Sequence, residues 1–295
     1  MSSHGSIRRF DSAEPAFSAA ALVENKALTD TRISVAIPTL NEASTIGGIV
    51  STIVRELMEA TPLVDELLVV DSDSDDDTAS IATAAGAQVL QASAIQPATP
   101  AVRGKGENLW RATLATTGDI VCFVDGDLRD FSPHFITGLI GPLLQDTSLQ
   151  FVKATYHRHL ASPFGAGEGG RSNALFARPL LALFLPELRD LDQPLGGEYA
   201  FRRDLLEALP FATDYGVEMA HLVDIVDQVG SEGIAQCDLG ERHHRNRSLD
   251  DLAQMNDTIG RRFFTRLAAT GRMDPATAPM DTAPWRPPPG SIACC

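Results

Sequence analysis

Residues 120–127 constrain the fold more than any other stretch. The apolar run Ile120, Val121, Cys122, Phe123, Val124 ends in two carboxylates, Asp125 and Asp127, separated by Gly126. A short continuous apolar run closed by glycine reads as a strand buried on both faces, as in a mostly parallel sheet covered by helices. The C-terminal ends of such strands open into the crevice where α/β folds bind ligands. Extended geometry would put both carboxylates on one side, about 6.5 to 7 Å apart along the chain. Gly126 would let a ligand approach the backbone between them. Carboxylates so placed suit Mg²⁺ or Mn²⁺ carried by a diphosphate, because such ions complete their shell with phosphate oxygens and water. The same three residues also make an ordinary solvated turn, and the rest of the chain has to decide.

The preceding residues supply the expected neighbours. Residues 33–37 read as a strand and 38–42 as a turn. Ile46, Ile49, Val50, Ile53, Val54, Leu57 and Met58 recur at helical spacing, with Ser44 or Thr45 available as cap. Residues 66–70 read as the next strand, which makes a right-handed βαβ unit and a doubly wound α/β domain. The acidic run from Asp71 to Asp77 is not a calcium loop, because its sixth position is Asp76 rather than Gly and its twelfth is Ala82 rather than Glu. It reads as a strand end leading into the acidic start of a helix over 78–85, with Asp71 and Ser72 facing the crevice. Further strands are expected over 87–90, 150–156 and 233–239, and a helix over 133–144. Residues 1–30 lack periodicity and read as a flexible arm; residues 271–295, with three prolines at 287–289, read as a disordered tail.

A formal charge of −15 argues against nucleic acid as a partner, so an anionic ligand needs local clusters of Arg and Lys. The sequence has no run of 18 apolar residues and no apolar core near Met1 of the kind a signal peptide carries, so no membrane partner and a cytoplasmic location are expected. Cys122, Cys237, Cys294 and Cys295 form neither a disulfide framework nor a zinc pattern and read as reduced thiols.

The basic clusters are few. Lys105 stands between Gly104 and Gly106, but Thr99 and Gly106 occupy places where a Walker loop needs Gly and Ser or Thr. Lys105 is then either a phosphate contact or a surface lysine. Residues 165–170 match a dinucleotide fingerprint by letter only, since no strand directly precedes them. They read as a glycine loop opening a helix over 172–185, where free amides and Arg171 would form an anion site, or as a plain linker. Glu198 and Glu218 each follow glycine-containing turns and suit sugar hydroxyls or caps. Arg242, His244 and Asn246 alternate, which puts them on one face of an extended segment. His244 could complete the metal shell of Asp127, with Arg242 and Asn246 binding anions.

Taken in order, Pro38 to Glu42, Asp71 and Ser72, Gly104 to Glu107, Asp125 to Asp127, Gly169 to Arg171, Leu195 to Tyr199, Tyr215 to Glu218 and His244 to Arg247 resemble one family. It is that of the glucosyl-3-phosphoglycerate synthases, retaining GT-A glycosyltransferases related to mannosyl-3-phosphoglycerate synthases. The resemblance spans residues 32–265. It implies a nucleotide-sugar-binding half over 31–160 and an acceptor-binding half over 161–270. It implies transfer of glucose from UDP- or GDP-glucose to the 2-hydroxyl of 3-phosphoglycerate with Mg²⁺ or Mn²⁺, and leaves a homodimer open. Pro38, Thr39, Leu40, Asn41, Glu42 and Ser72 would hold the base and ribose. Lys105, Asp125 and Gly126 would approach the ribose and diphosphate, with Arg242 near the donor phosphates. Tyr215, Gly216, Val217 and Glu218 would hold the sugar. Gly170, Arg171, Ser172, Asn173 and Asn246 would hold the acceptor. Asp127 and His244 would bind the metal and, with Lys105, carry catalysis. Two positions depart from the family pattern: Asn173 in place of Thr and Gly126 in place of Ser. The competing readings are a mannosyl-3-phosphoglycerate synthase using GDP-mannose, a sugar-phosphate nucleotidyltransferase and a non-catalytic sugar-nucleotide binding module.

The glycine loop generates a direct test. Arg171→Ala should weaken acceptor binding by on the order of 1.5 to 3 kcal/mol while donor affinity hardly moves, read by calorimetry with each substrate separately.

Overall fold

The apolar runs pair into one central sheet. The computed structural model describes residues 7–160, 167–168, 170–243 and 248–292. In chain order the elements are β1 (Arg8–Asp11), α1 (Ala19–Thr29), β2 (Ile33–Thr39), α2 (Ile46–Ile53), β3 (Glu66–Asp71), α3 (Thr78–Ala84) and β4 (Gln88–Gln91). There follow α4 (Lys105–Ala115), β5 (Ile120–Phe123), α5 (His134–Gln145), β6 (Phe151–Leu160), β7 (Gly167–Glu168), α6 (Arg178–Phe184), β8 (Tyr199–Arg202) and α7 (Arg203–Ala208). The last are β9 (Phe211–Ala212), α8 (Val217–Val229), β10 (Ile234–His243), α9 (Leu249–Ala269) and β11 (Trp285–Arg286).

The strand order is β1-β10-β6-β8-β5-β2-β3-β4, with β7 paired to β6. Every neighbouring pair along that path is parallel except where β8 runs antiparallel between β5 and β6. The expected mostly parallel α/β sheet is therefore present. Its strands are apolar on both faces because both are covered. Ile33, Val35 and Ile37 of β2 pack with α1, α2, α3 and α5, whereas Ala36 packs with the layer of α4, α6, α8 and α9. The same alternation divides Leu67 and Val69 from Leu68 and Val70 in β3.

The two ends of the chain differ from the expectation. Of the N-terminal residues read as a flexible arm, 8–11 add strand β1 to the edge of β10, and Phe17 and Leu22 are buried in the core. Patterning hid this because β1 is short and half exposed, so it lacks the apolar run of a central strand. The tail read as disordered carries β11, which pairs antiparallel with β9, and Arg262 donates to Asp281 and to the carbonyls of Ala283 and Pro284. Proline leaves carbonyls free to accept, so a proline-rich segment can dock without building a ladder of its own. The helix expected from residue 172 starts at Arg171 and runs through a π-helical stretch, Asn173–Ala177, before α6. Among the described residues no helix is long and apolar enough to cross a membrane.

One core histidine sets a pH limit on this packing. His221 is 3% exposed, with its ring edge-on to Phe211 at a centroid distance of 4.5 Å. Burial, aided by the charge of Lys153, pushes its pKa down to about 3. The unfolded chain takes up this proton near the ordinary value of about 6.5, so it binds more protons than the native state below that pH. Stability should therefore be unaffected by His221 above about pH 6.5 and decline as pH falls toward 3. Urea midpoints measured across that range should fall in the parent and lose this component of the slope in His221→Phe.

Candidate active site

Strand β5 ends at Phe123, two residues before the first carboxylate. Val124 donates to the Ala36 carbonyl, continuing the alignment with β2, and the chain then turns through Asp125 to Asp127. The two acids converge through a turn rather than through strand alternation. Thr45, the residue before α2, fixes that turn: its Oγ1 donates to the Gly126 carbonyl at 2.7 Å and makes no cap bond to its own helix.

A cavity of about 380 Å³ opens at this end of the sheet. It is lined by Pro38, Thr39, Leu40, Glu42, Ser72, Lys105, Asp125, Gly126, Asp127 and Tyr215, all singled out in the sequence, together with Arg103, Gly104 and Asn108. Asn41, at φ 60°, accepts through Oδ1 from the Asp75 amide and buttresses the turn that carries its neighbours. Thr39 donates to Asp71, whose carboxylate also accepts from the amide and hydroxyl of Ser74, so Asp71 orders the strand ends beneath Ser72. Asn108 is buried; its Nδ2 faces the carbonyls of Thr39 and Val70, and its Oδ1 has no partner among the described residues.

Beneath the cavity lies a network of charges. Lys105 Nζ, at the start of α4, donates to Asp125 Oδ1 at 2.8 Å and pairs with Glu218 Oε1 at 2.9 Å. Arg242 Nη2 reaches Asp125 Oδ2 at 3.1 Å, Asp127 Oδ1 at 3.3 Å and Glu198 Oε1 at 3.0 Å, while Nη1 donates to Tyr156 Oη at 2.8 Å. Burial alone would raise the Asp125 carboxyl, but Lys105 and Arg242, both hydrogen-bonded to it, outweigh burial and hold it well below the usual carboxylate range. Burial likewise pulls Lys105 down, and Asp125 and Glu218 carry it well above its ordinary value. A third cation, Lys153 of β6, lies over the Tyr199 ring at 4.4 Å and donates to the Gly196 carbonyl at 2.5 Å. Among the described residues it has no carboxylate in direct contact, and burial takes its pKa down to about 7.

These contacts redistribute the expected roles. An ammonium has three N–H donors, and two of those of Lys105 are already used on carboxylates, leaving one for a ligand. Arg242 spends its guanidinium on three carboxylates. Val217 is fully buried in the apolar core, so it supports the site and its side chain does not line the cavity. Gly216 packs so closely on Arg262 that a side chain there would collide with it. Asn173 donates to Gln193 and accepts from the Leu195 amide, tying the glycine loop to the turn before Glu198. Gly170 has φ 85°, and the buried Ser172 hydroxyl has no partner among the described residues. Gly170 to Asn173 do not line the cavity. His244 and Asn246 lie outside the described residues.

The donor set fits a hard divalent cation. Of the four carboxylates around Lys105 and Arg242, Asp127 is the most open, its side chain 40% exposed against 20%, 3% and 0% for Asp125, Glu218 and Glu198. One open carboxylate beside a cavity is what an ion needs when phosphate and water complete its shell. Among the described residues no group of three His, Cys, Asp or Glu forms a closed metal cage.

Arg103, Asn108, Tyr156 and Lys153 were not singled out from the sequence. Lys153 did leave a signal, a lone lysine inside the apolar strand Phe151 to Tyr156, whereas Asn108 and Arg103 gave none.

The sequence profile of Glycosyl transferase family 2 matches residues 34–164. The chain is 46% identical over 255 residues to the glucosyl-3-phosphoglycerate synthase of Petrotoga mobilis, covering 86% of this chain and 78% of that protein. Identity to the glucosyl-3-phosphoglycerate synthase of Mycolicibacterium smegmatis is 50% over 229 residues, 77% of this chain and 75% of that one. Among solved structures, mannosyl-3-phosphoglycerate synthase from Rubrobacter xylanophilus superposes with a TM-score of 0.88 at 35% identity, covering 97% of each chain. Glucosyl-3-phosphoglycerate synthase from Mycobacterium tuberculosis in complex with Mn²⁺, UDP-glucose and phosphoglyceric acid gives a TM-score of 0.83 at 41% identity, covering 96% of this chain and 98% of that one.

Gly197 offers a test of the charge network. A β-carbon there would overlap the Asp125 carboxyl. Gly197→Ala should push Asp125 off Lys105 and Arg242 and reduce turnover by about a hundredfold, the scale expected for a misplacement near 1 Å. Circular dichroism of the variant should remain that of the parent.

Proposed function

The chain belongs to the glucosyl-3-phosphoglycerate synthase family, and from that premise we propose that it transfers glucose from UDP-glucose to the 2-hydroxyl of 3-phosphoglycerate, releasing UDP. The observation that carries the reading is the gathering of ten motif residues around one cavity, with Asp127 the most open carboxylate of its charge network. Asp127, with His244, would hold Mg²⁺ or Mn²⁺, which supplies Lewis-acid stabilisation of the charge on the departing diphosphate. Pro38, Thr39, Leu40 and Ser72 shape the nucleoside place, and Asn108 braces it from behind through the carbonyls of Thr39 and Val70. Arg103 and the remaining N–H of Lys105 face the anionic leaving group. Tyr215, 44% exposed at the cavity, and Glu218 behind Lys105 bound the sugar. Arg171, Ser172 and the backbone amides after Gly170, with Asn246, meet the two anionic groups of the acceptor, and Asn173 positions them.

Retention of the anomeric configuration is part of the proposal. Asp125, Glu198 and Glu218 are each held in ion pairs, which makes them poor nucleophiles. Attack on the same face as the departing group, with the acceptor proton passing to the leaving phosphate, needs no free carboxylate. The high TM-score to a mannosyl-3-phosphoglycerate synthase favours one second reading, transfer of mannose from GDP-mannose. Nucleotide sugars and 3-phosphoglycerate are cytoplasmic metabolites, which supports a cytoplasmic enzyme.

The experiment is a matrix of UDP-glucose, GDP-glucose and GDP-mannose against 3-phosphoglycerate and glycerol, with and without Mg²⁺, and proton NMR of the product. We expect an α-linked glucosyl product from UDP-glucose and poor reaction of glycerol, which carries no charge to pair with Arg171. Asp127→Asn should keep the fold and lose about a hundredfold or more of this activity. A β-linked product, equal use of glycerol, or full activity in a chelator would overturn the reading.

A further inference from the structure

The C-terminal segment 281–287 grips both sides of the place where Lys105 enters the site. On one side is the first turn of α4. Glu107, two residues after Lys105, is fully buried and receives Arg111 Nε at 2.8 Å from its own helix. It also receives Arg286 from the far end of the chain, Nε at 2.6 Å and Nη2 at 3.0 Å. Arg286 donates further to the Pro100 carbonyl at 2.7 Å, and Trp110 Nε1 donates to the Pro287 carbonyl at 2.9 Å. On the other side are the loop between β9 and α8, which carries Tyr215, and the first turn of α8, which carries Glu218. Strand β11 pairs with β9, Thr213 Oγ1 donates to the Pro284 carbonyl at 3.0 Å, and Arg262 joins Asp214 at 2.8 Å to Asp281 at 2.8 Å.

The two sides touch directly. A β-carbon at Gly104 or Gly106 would overlap the carbonyl of Thr213 or Ala212, and the Glu107 amide donates to the Thr213 carbonyl at 2.9 Å. The start of α4 therefore lies flat against the loop, and only glycine permits that approach. Lys105 then spans from α4 to Glu218 on one element and Asp125 on another. Such a bridge depends on how α4 is set against the loop, and segment 281–287 is bonded to both.

We propose that residues 281–287 form a strap that positions the donor-sugar half of the site, with Arg286 as the positioning residue that seats the first turn of α4 and thereby Lys105. Arg286 does not line the cavity, and its action is through Glu107. The link to the donor sugar rests on the proposed transferase reading; the link to α4 does not.

The test uses the full-length chain carrying Arg286→Met, Arg286→Lys or Trp110→Phe. In steady-state assays well below the melting temperature, Arg286→Met should lower kcat by about tenfold and raise KM for UDP-glucose, leaving KM for 3-phosphoglycerate unchanged. Arg286→Lys should recover part of the loss, and Trp110→Phe should shift the same two constants in the same direction by less. Amide hydrogen exchange, which needs neither substrate, should quicken at residues 104–108 and 213–217 in each variant. A lowered melting temperature with kcat and both KM values unchanged would make the strap a stabilising feature only and overturn its positioning role. Should Arg286→Met fail to fold, unchanged kinetics or exchange in Trp110→Phe overturns it equally. Should the parent transfer no sugar at all, the transferase reading falls, and exchange at residues 104–108 still decides the strap.

Discussion

The pairing of Asp125 with Lys105 and Arg242 is the constraint on which the site depends. The start of α4, the turn after β5 and the distant strand β10 have to deliver their side chains to one point, and the two cations together outweigh the burial that would raise the Asp125 carboxyl. Removing one partner of such a buried pair costs about 3 to 5 kcal/mol, since the other charge is left without compensation. The sheet order serves this meeting. With β8 inserted between β5 and β6, the ends of β5 and β10 are separated by the width of two strands, a gap that Arg242 closes with its long side chain.

Charge allocation then decides what the cavity can bind. Lys105 and Arg242 are absorbed by Asp125, Glu198 and Glu218, so in an acidic protein little positive charge is left to face an anion. Arg103 at the rim and a cation held by Asp127 would restore the balance for a diphosphate. Lys153 is the reserve behind this arrangement. Among the described residues it touches a carbonyl and an aromatic face instead of a carboxylate, and its contact to Gly196 steadies the turn whose next residue, Gly197, abuts Asp125.

Both ends of the chain are built into the same scaffold. Strand β1 extends the sheet beyond β10, the strand that carries Arg242, and segment 281–287 closes over α4, the helix that carries Lys105. The two cations of the central pair are thus each backed by a terminal segment. Glu107 repeats the central theme of a carboxylate between two cations, here two guanidiniums, one local and one from far along the chain.

The sequence by itself determined the class of fold and the residues that gather at the cavity. Period-two and helical apolar patterns, and strand ends marked by Asp71 and by Asp125 to Asp127, are local properties that a chain carries before it folds, and so the α/β sheet and ten lining residues were legible. The tertiary structure decided partnership. Whether Lys105 meets phosphate or carboxylate, whether Arg242 faces a ligand or supports Asp125, and whether Val217 lines the cavity or fills the core depend on which side chains lie across space. Asn108 and Lys153 acquire meaning only from the strands and loops packed against them. The terminal segments were misread for the same reason: β1 and β11 are too short to show a period, and their order comes from edge pairing and from Arg286 and Arg262. Those interactions join residues far apart along the chain, and no pattern within a local stretch can encode them.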